Sequence, residues 1–310
     1  MRQISGQNLV IETSEDTFAP TPWAAALASD PARMSPSKFH CSKVLLTTAV
    51  SSIYGEFYAQ LNNPMFRTLP YFLAETKYQN PTDVSESNWQ FCKGTPNNLF
   101  QDLAINAPMA GDFHAAMQCH SRYNLTPWTE VYPTDHIVTA GKPDIPLVVD
   151  IGGSKGHDLE KFLACHKEIP QNSLVLQDLP DVVSELRFDS PAISAQAYDF
   201  FTTQPVKKAT AYFMHNVLHD WTDDLAIKIL KNVAEAMEKG YSKLLIHESL
   251  ISSITPHARV TTSDLTMMAC LSAKERTEAE WRTIVEEAGL KVVKIWRPAQ
   301  SVESIIEVEL

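Results

Sequence analysis

The stretch that decides the fold is VVDIGGSKGHDLEKF, residues 148–162. An apolar run ends in Asp150 and two glycines, and a helical pattern resumes after a third, Gly156. Such a strand, glycine turn and helix are typical of a doubly wound sheet, in which ligands bind outside the carboxyl ends of the strands. The turn lacks the Gly-x-Gly-x-x-Gly spacing of dinucleotide-binding proteins. The glycines can also serve steric needs alone, so the turn by itself leaves the ligand open.

Around this stretch, apolar segments alternate with helical ones. They follow the loop TAGKPDIP, residues 139–146, and are LVVDI, SLVLQDL, TAYFM, KLLIH, VVKIW and SIIEVEL. This rhythm predicts a parallel α/β sheet with helices on both faces. Only RPAQSVE separates the last two segments, so we expect them to form an antiparallel hairpin at one edge.

The N-terminal part has a different pattern. Residues 35–61 read as a helix and residues 97–120 as one or two more, and nothing in this part alternates like a strand. We therefore predict a mainly helical region over residues 1–110, followed by an α/β domain over residues 111–310.

The composition argues against several classes of function. With a net charge of −11, the chain shows no clustered Lys and Arg for a nucleic acid or an anionic membrane. The five cysteines lack Cys-x-x-Cys spacing, which predicts neither a zinc site nor disulfides and favours a reduced, cytoplasmic setting. No apolar run reaches the length of a membrane span, and the N-terminus lacks a signal pattern.

Two acidic residues at strand ends narrow the choice of ligand. Asp150 would repel phosphate and suits a cation or a hydroxyl donor, whereas Asp178, after the next strand, suits a ribose diol. A ligand with a ribose, an amino group and no phosphate is S-adenosylmethionine (SAM). These residues therefore predict a SAM site.

Two histidines follow a later strand. His215 and His219 lie in YFMHNVLHDWTDD, residues 212–224, and so belong to the ligand side of the sheet. A single histidine is often a structural residue, so from these residues alone a catalytic and a structural role for His219 both stay open.

Five motifs in this order resemble those of the SAM-dependent O-methyltransferases of fungal and plant secondary metabolism. They are VVDIGGSKGH, LQDLPDVV, YFMHNVLHDWTDD, LLIHESLI and DLTMMACLSAKERTEAEW. The resemblance covers about residues 64–310. It implies a class I methyltransferase (Rossmann-like) domain behind a helical dimerisation domain, and methyl transfer to a phenolic or enolic hydroxyl of a small secondary metabolite.

The resemblance also assigns roles to residues. His219 corresponds to the general base, and Glu248 and Glu275 to the carboxylates that orient its imidazole. The cofactor-binding positions are Asp150, Gly152, Gly153, Asp178, Leu179, Asp199, Phe200 and His215. The acceptor pocket corresponds to Asp264, Met267 and Met268, with Trp221 and Met117 as further candidates. Met267 and Met268 can also be ordinary core residues. The implied mechanism needs no metal.

Three features depart from the family pattern. Ser154 replaces a glycine that is common in the turn, and His215 stands where many plant relatives have a lysine. The segment FAPTPWAAALAS, residues 18–29, resembles the end of the winged-helix region, so we expect most of the dimerisation helices to be absent. The chain then pairs differently as a homodimer, uses residues 38–70 instead, or has an open site.

Two other functions stay open. Some fungal proteins of this type keep the SAM site but act as pericyclases or dehydratases on polyketide-derived substrates, and the complete set of His219, Glu248 and Glu275 argues against that reading. A non-catalytic partner subunit is the second alternative. The sequence leaves the acceptor itself unidentified; Phe57, Tyr58, Phe66 and Trp128 are further unranked pocket candidates.

Overall fold

A computed structural model describes most of the chain. It describes residues 10–14, 17–20, 61–122, 126–184, 186–252, 256–298 and 301–310. The helix predicted over residues 35–61 lies almost wholly outside this set, as do Phe57 and Tyr58. The described residues form two compact units, one up to Gln79 and Asn88–Cys119, the other Asn80–Ser87 and His120–Leu310. The domain boundary predicted near residue 110 stays a prediction.

The first unit is mainly helical. Its helices are α1 (Asn63–Glu75), α2 (Asn88–Lys93), α3 (Leu99–Ile105) and α4 (Ala107–Arg122), the last extending past the end of the unit. A capping box begins α3, because the Asn98 side chain accepts from the Gln101 backbone and the Gln101 side chain accepts from the Asn98 backbone. Residues 97–120 thus form the expected helices.

One prediction for this unit is wrong. Residues 10–20 contain an antiparallel pair of short strands, β1 (Val10–Ser14) and β2 (Thr17–Pro20), where no strand was expected. In VIETS the two apolar residues, Val10 and Ile11, are adjacent, so the segment lacks the apolar and polar alternation that indicates a strand.

The second unit contains a seven-stranded sheet in the order β5-β4-β3-β6-β7-β9-β8. Its strands are β3 (Val148–Ile151), β4 (Leu174–Asp178), β5 (Ile193–Ala197), β6 (Ala211–His215), β7 (Lys243–Ser249), β8 (Lys291–Trp296) and β9 (Glu303–Glu309). The first five are parallel, and β9 pairs antiparallel with both β7 and β8. The doubly wound sheet and its edge hairpin are confirmed. The sequence missed β5, ISAQA, whose edge position leaves only Ile193 buried.

Helices join these strands. They are α5 (Trp128–Val131), α6 (Asp135–Ala140), α7 (His157–Cys165), α8 (Pro180–Ser184), α9 (Asp223–Ala234), α10 (Ala258–Leu271) and α11 (Glu278–Glu287), with a 3-10 turn at Leu218–Asp220. The described helices include none long and apolar enough to cross a membrane.

The core of this unit is built around an aromatic cluster. Trp128 is fully buried, stacks on Phe162 at 5.7 Å between ring centroids and packs against Phe213 at 4.5 Å. Its indole N–H donates to the backbone oxygen of Asp158. Trp128 is therefore a core residue rather than the pocket residue that the sequence suggested.

Parallel pairing brings the carboxyl ends of β3, β4, β6 and β7 to the same edge of the sheet. That edge carries Asp150, Asp178, His215 and Glu248 in or at the ends of their strands, and the 3-10 turn with His219 follows β6. The strand order therefore places Asp150, Asp178, His215 and Glu248 along one edge of the sheet.

Candidate active site

The glycine turn lies against the end of β4. Gly152 and Gly153 donate their N–H groups to the backbone oxygen of Gln177, at 2.7 and 3.2 Å, and Ser154 N–H donates to Asp178 Oδ2 at 2.8 Å. Ser154 has φ of 49°, in the left-handed region, which explains why glycine is common there. The turn thus fixes the Asp178 carboxylate.

Steric constraints also require glycine at positions 152 and 153. Gly152 has φ of 75°, and a Cβ there would lie 2.8 Å from Val217 Cγ2. A Cβ on Gly153 would lie 2.5 Å from Asp150 Oδ2. Asp150 is 1% exposed, its Oδ2 has no hydrogen-bond partner, and burial with the nearby Asp158 carboxylate raises its pKa well above the ordinary value. Asp150 therefore lies against the turn in surroundings that favour its neutral form.

Beyond β4, acidic and apolar side chains lie side by side. Asp178 Oδ1 accepts from the Leu179 N–H at 2.7 Å, and the Leu179 side chain is 46% exposed. Asp199 is exposed, and Phe200 beside it is half-buried and packs edge-on against Trp221. A carboxylate next to exposed apolar groups suits a ligand with a diol on one part and a flat ring on another.

His219 is held by carboxylates on one side of its ring. Its Nδ1 lies 3.1 Å from Glu275 Oε1 and 3.7 Å from Glu248 Oε2. Glu248 is fully buried and Glu275 is 3% exposed, whereas the His219 side chain retains 12% exposure. Nε2, on the other side of the ring, lies 3.5 Å from Asp220 Oδ1. The predicted trio is assembled. In the tautomer whose Nδ1–H donates to Glu275, the Nε2 lone pair is the one that can accept a proton.

The carboxylates stabilise the imidazolium. Burial alone would lower the pKa of His219, but Glu248, Asp220 and Glu275 together raise it well above 6.5. Burial, with the neighbouring carboxylates, raises the pKa of Glu248 to about 7 and that of Asp220 to about 6. The site therefore binds a proton tightly at His219.

Helix α10 supports Glu275 from a second direction. Ser263 Oγ donates to Glu275 Oε1 at 2.6 Å, and Asp264 Oδ1 accepts from the Glu275 N–H at 2.9 Å. Asp264 thus fixes the backbone of Glu275, and its role in the acceptor pocket stays a prediction. The sequence analysis did not identify Ser263, because no pattern along the helix indicates that its hydroxyl contacts Glu275. Met267 and Met268 on α10 are half-buried.

The other two pocket candidates differ. Trp221 is 9% exposed and packs edge-on against Phe201 at 4.7 Å, which joins the His219 turn to the loop of Asp199. Met117 lies on α4 in the first unit and is half-buried. A pocket role for either residue stays a prediction.

His215 lies in a separate buried cluster. Its Nδ1 lies 2.7 Å from Asp158 Oδ2, its Nε2 lies 3.5 Å from Glu303 Oε2, and its ring stacks on His247 at 4.2 Å. Burial would lower the pKa of His215, but Asp158 and Glu303 raise it to about 10. Burial and the adjacent His215 lower the pKa of His247 to about 3. The described contacts of His215 are thus with protein groups, and its predicted cofactor contact stays a prediction.

Two groups of described residues bring three potential metal ligands within 4.8 Å of one another: His215 with His247 and Glu303, and His219 with Glu248 and Glu275. In the first group the imidazole planes are inclined by only 28°, so the lone pairs run side by side instead of converging on one point. In the second, His219 Nδ1 already faces Glu275 at hydrogen-bond distance. Both geometries favour proton sharing over metal binding.

Comparison with known proteins gives the family. A model described as an O-methyltransferase domain matches residues 99–291. O-methyltransferase mfmE of Annulohypoxylon moriforme is 36% identical over 313 aligned residues, which cover 100% of this chain and 72% of the relative. The chain belongs to the O-methyltransferase family. It spans between 62% and 75% of the length of eight curated relatives.

Solved structures give the same fold. The complex of LepI with SAM has a TM-score of 0.78 at 24% identity, covering 100% of this chain and 75% of LepI. OxaC with S-adenosylhomocysteine and oxaline has a TM-score of 0.77 at 23% identity, covering 100% and 74%. At these identities the likeness concerns the fold, which is that of SAM-binding methyltransferases.

The edge of the sheet in this O-methyltransferase fits the family's cofactor, SAM. The Asp178 carboxylate is oriented by two backbone N–H groups, as a diol acceptor must be. Leu179 and Phe200 supply apolar surface for an adenine ring, and Asp150 supplies a buried oxygen without a partner. These residues could hold the cofactor, and their individual contacts with it stay predictions.

Proposed function

We propose that this chain catalyses SAM-dependent O-methyl transfer to a phenolic or enolic hydroxyl of a small secondary metabolite, with His219 as the general base. The observation that carries the proposal is the imidazole geometry. Glu275 and Glu248 face Nδ1, whereas Nε2 has only the partly exposed Asp220 nearby, at 3.5 Å, and is the nitrogen that we propose receives a proton from a substrate.

The electrostatics of the trio support this role. A phenol with a pKa near 10 facing an ordinary histidine near 6.5 makes proton transfer about 3.5 units uphill, or roughly 5 kcal/mol. The carboxylates around His219 raise its pKa and so reduce this difference. The same effect favours the protonated form of His219, so the unprotonated form that can act as a base becomes more abundant as the pH rises.

The residues divide the work. SAM, when bound, supplies an electrophilic methyl group. Asp178, with Leu179 and Phe200, holds the cofactor at the sheet edge, and His219 Nε2 takes the hydroxyl proton so that the oxygen can attack as an anion. Glu275 and Glu248 keep the ring oriented and stabilise its positive charge. The chain thus acts by positioning and by proton transfer.

The test begins with isothermal titration of SAM and S-adenosylhomocysteine into the purified protein. We expect micromolar binding of both. A panel of phenolic and enolic polyketides is then incubated with SAM and examined by mass spectrometry for a gain of one methyl group. No metal is expected to be needed, so EDTA should leave the rate unchanged. Absence of cofactor binding would contradict the proposal.

A pericyclase or dehydratase that keeps SAM as a bound, unreacted group is the alternative. Its support is a structure named as a pericyclic reaction enzyme, with a TM-score of 0.79 at 23% identity. Conversion of a polyketide without a gain in mass, in the presence of bound SAM, would favour it. If the chain is a non-catalytic partner subunit, it should instead co-purify with a full-length methyltransferase. Light scattering tests whether the chain forms a homodimer.

A further inference from the structure

The guanidinium of Arg276 contacts the turn that carries His219. Arg276 is fully buried, and three of its nitrogens have different acceptors. Nη1 donates to the backbone oxygen of Leu218 at 2.9 Å, Nη2 to that of Trp221 at 2.7 Å, and Nε to Asp223 Oδ1 at 2.7 Å. The two carbonyl groups flank His219 and Asp220, so Arg276 binds the turn on both sides of the base.

Glu248 binds the same turn through its N–H groups. Its Oε1 accepts from the backbone nitrogens of Val217, Leu218 and His219 at 3.1, 2.9 and 3.3 Å. The short turn between β6 and α9 therefore has its donors held by a buried carboxylate and two of its acceptors by a buried guanidinium. A 3-10 turn of three residues has little hydrogen bonding of its own, so these side chains define its conformation.

The backbone of Arg276 is fixed as well. Ile251 N–H donates to the Arg276 oxygen at 3.1 Å, and Leu250 forms a parallel bridge with Arg276, so the arginine is joined to the end of β7. The preceding residue, Glu275, contacts the His219 ring. Glu275 thus holds the imidazole of His219, and Arg276, the next residue, holds the main chain of the turn that carries it.

We propose that Arg276 is a positioning residue for His219, which fixes the backbone of the base while Glu275 fixes its ring. This inference rests on the proposed role of His219. A lysine cannot replace the arginine, because a single ammonium group lacks the planar fork that reaches three acceptors in different directions. Arg276 lies in the motif DLTMMACLSAKERTEAEW, but the resemblance assigned no role to it.

The state of the His219 ring reports on this role. The charged groups that face it are Glu275 and Glu248 at Nδ1 and Asp220 at Nε2. Substitution of Arg276 by lysine keeps the positive charge but releases at least one carbonyl group. The turn then relaxes away from Glu275, and the pKa of His219 falls.

The experiment compares Arg276→Lys with Arg282→Lys, whose arginine pairs with Glu278 on the exposed side of α11. Histidine NMR resonances are titrated against pH, with His219 assigned through His219→Gln. We expect the pKa of His219 to fall by about one unit in Arg276→Lys and to stay unchanged in the control. With an acceptor that the wild-type protein methylates, kcat of Arg276→Lys should fall about 10- to 100-fold, while its KM for SAM should change less than twofold.

A purely structural arginine would give a different result. The melting temperature would fall while the pKa of His219 and kcat per folded molecule stayed at wild-type values, and this would overturn the proposal. If Arg276→Lys does not fold, Asp223→Asn provides the second variant, since the Asp223 side chain is 44% exposed and contacts only Nε of the guanidinium, while its Oδ2 pairs with Lys274. A smaller decrease in the same pKa is expected, and no decrease would contradict the inference. The titration needs no acceptor, so failure of methyl transfer in wild type would contradict only the proposed function.

Discussion

Two buried clusters at the same edge of the sheet use the same chemistry, a histidine between carboxylates. At His215, Nδ1 faces Asp158 and Nε2 faces Glu303, and the side chain is 6% exposed. At His219, two carboxylates face Nδ1, and the side chain is 12% exposed with Nε2 near Asp220. Nε2 lies 3.5 Å from a carboxylate in both clusters, but the Glu303 side chain beside His215 is 4% exposed, whereas the Asp220 side chain beside His219 is 20% exposed, so the Nε2 side of His219 is the more accessible.

Basic groups reinforce this difference. Lys161 lies 3.0 Å from Asp158 and Arg259 lies 3.6 Å from Glu303, so the carboxylates beside His215 are neutralised from outside. Burial favours their neutral forms, but His215 holds the pKa of both well below the ordinary range. Carboxylates alone therefore do not make a catalytic histidine. The ring must also present one nitrogen to a substrate.

The largest expected effect separates the two histidines by activity. His219→Gln removes the base while keeping a side chain of similar size, so kcat for methyl transfer should fall about 10²- to 10⁴-fold. The dissociation constant for SAM, measured by calorimetry, should stay within twofold of wild type, because the base acts on the acceptor. Unchanged turnover in this variant would remove His219 from the mechanism.

The second effect separates them by stability. His215→Gln leaves two buried carboxylates without their imidazolium, which should cost about 3–5 kcal/mol and lower the melting temperature by roughly 10 °C. Because the pKa of His215 is raised to about 10 from 6.5, its stabilising contribution is complete below pH 6.5 and is lost as the pH rises through 10. His136→Gln, on the exposed side of α6, is the control and should change stability by less than about 0.5 kcal/mol. Equal melting temperatures for the two variants would argue against the charge cluster.

A third effect concerns the cofactor side of the edge. Asp178→Asn removes the carboxylate proposed for the ribose hydroxyls, and SAM binding should weaken by about 1–3 kcal/mol. Asp181→Asn, an exposed neighbour on α8, should bind SAM as wild type does. Calorimetry that finds the same affinity for both variants would exclude Asp178 from the site.

The smallest effect concerns the glycine turn. Ser154 pays a conformational penalty at φ of 49°, so Ser154→Gly should stabilise the fold by about 1 kcal/mol or less, once the greater freedom of the unfolded glycine is subtracted. Chemical denaturation measures this directly. A destabilised variant would show that the serine side chain contributes more than its strained backbone loses.

The sequence predicted the sheet because apolar runs that alternate with helical segments indicate parallel strands, whose carboxyl ends lie at one edge. It missed β5, since ISAQA is an edge strand with little apolar character, and the pair β1 and β2, since their patterns are short. It identified Glu275 only through resemblance. The contacts of Arg276 and Ser263 depend on where the segment after α10 returns to the sheet, which no pattern along the chain encodes.

The measurement that most directly tests the central claim is the pH dependence of kcat/KM for an acceptor that the protein methylates, compared between wild type and Glu275→Gln. If His219 is a base held by carboxylates, activity should rise with pH through a group whose pKa lies above 6.5. In Glu275→Gln that rise should move to lower pH, since one stabilising charge is lost, and the plateau should fall. A profile that is flat from pH 6 to 9, or identical in the two proteins, would contradict the account.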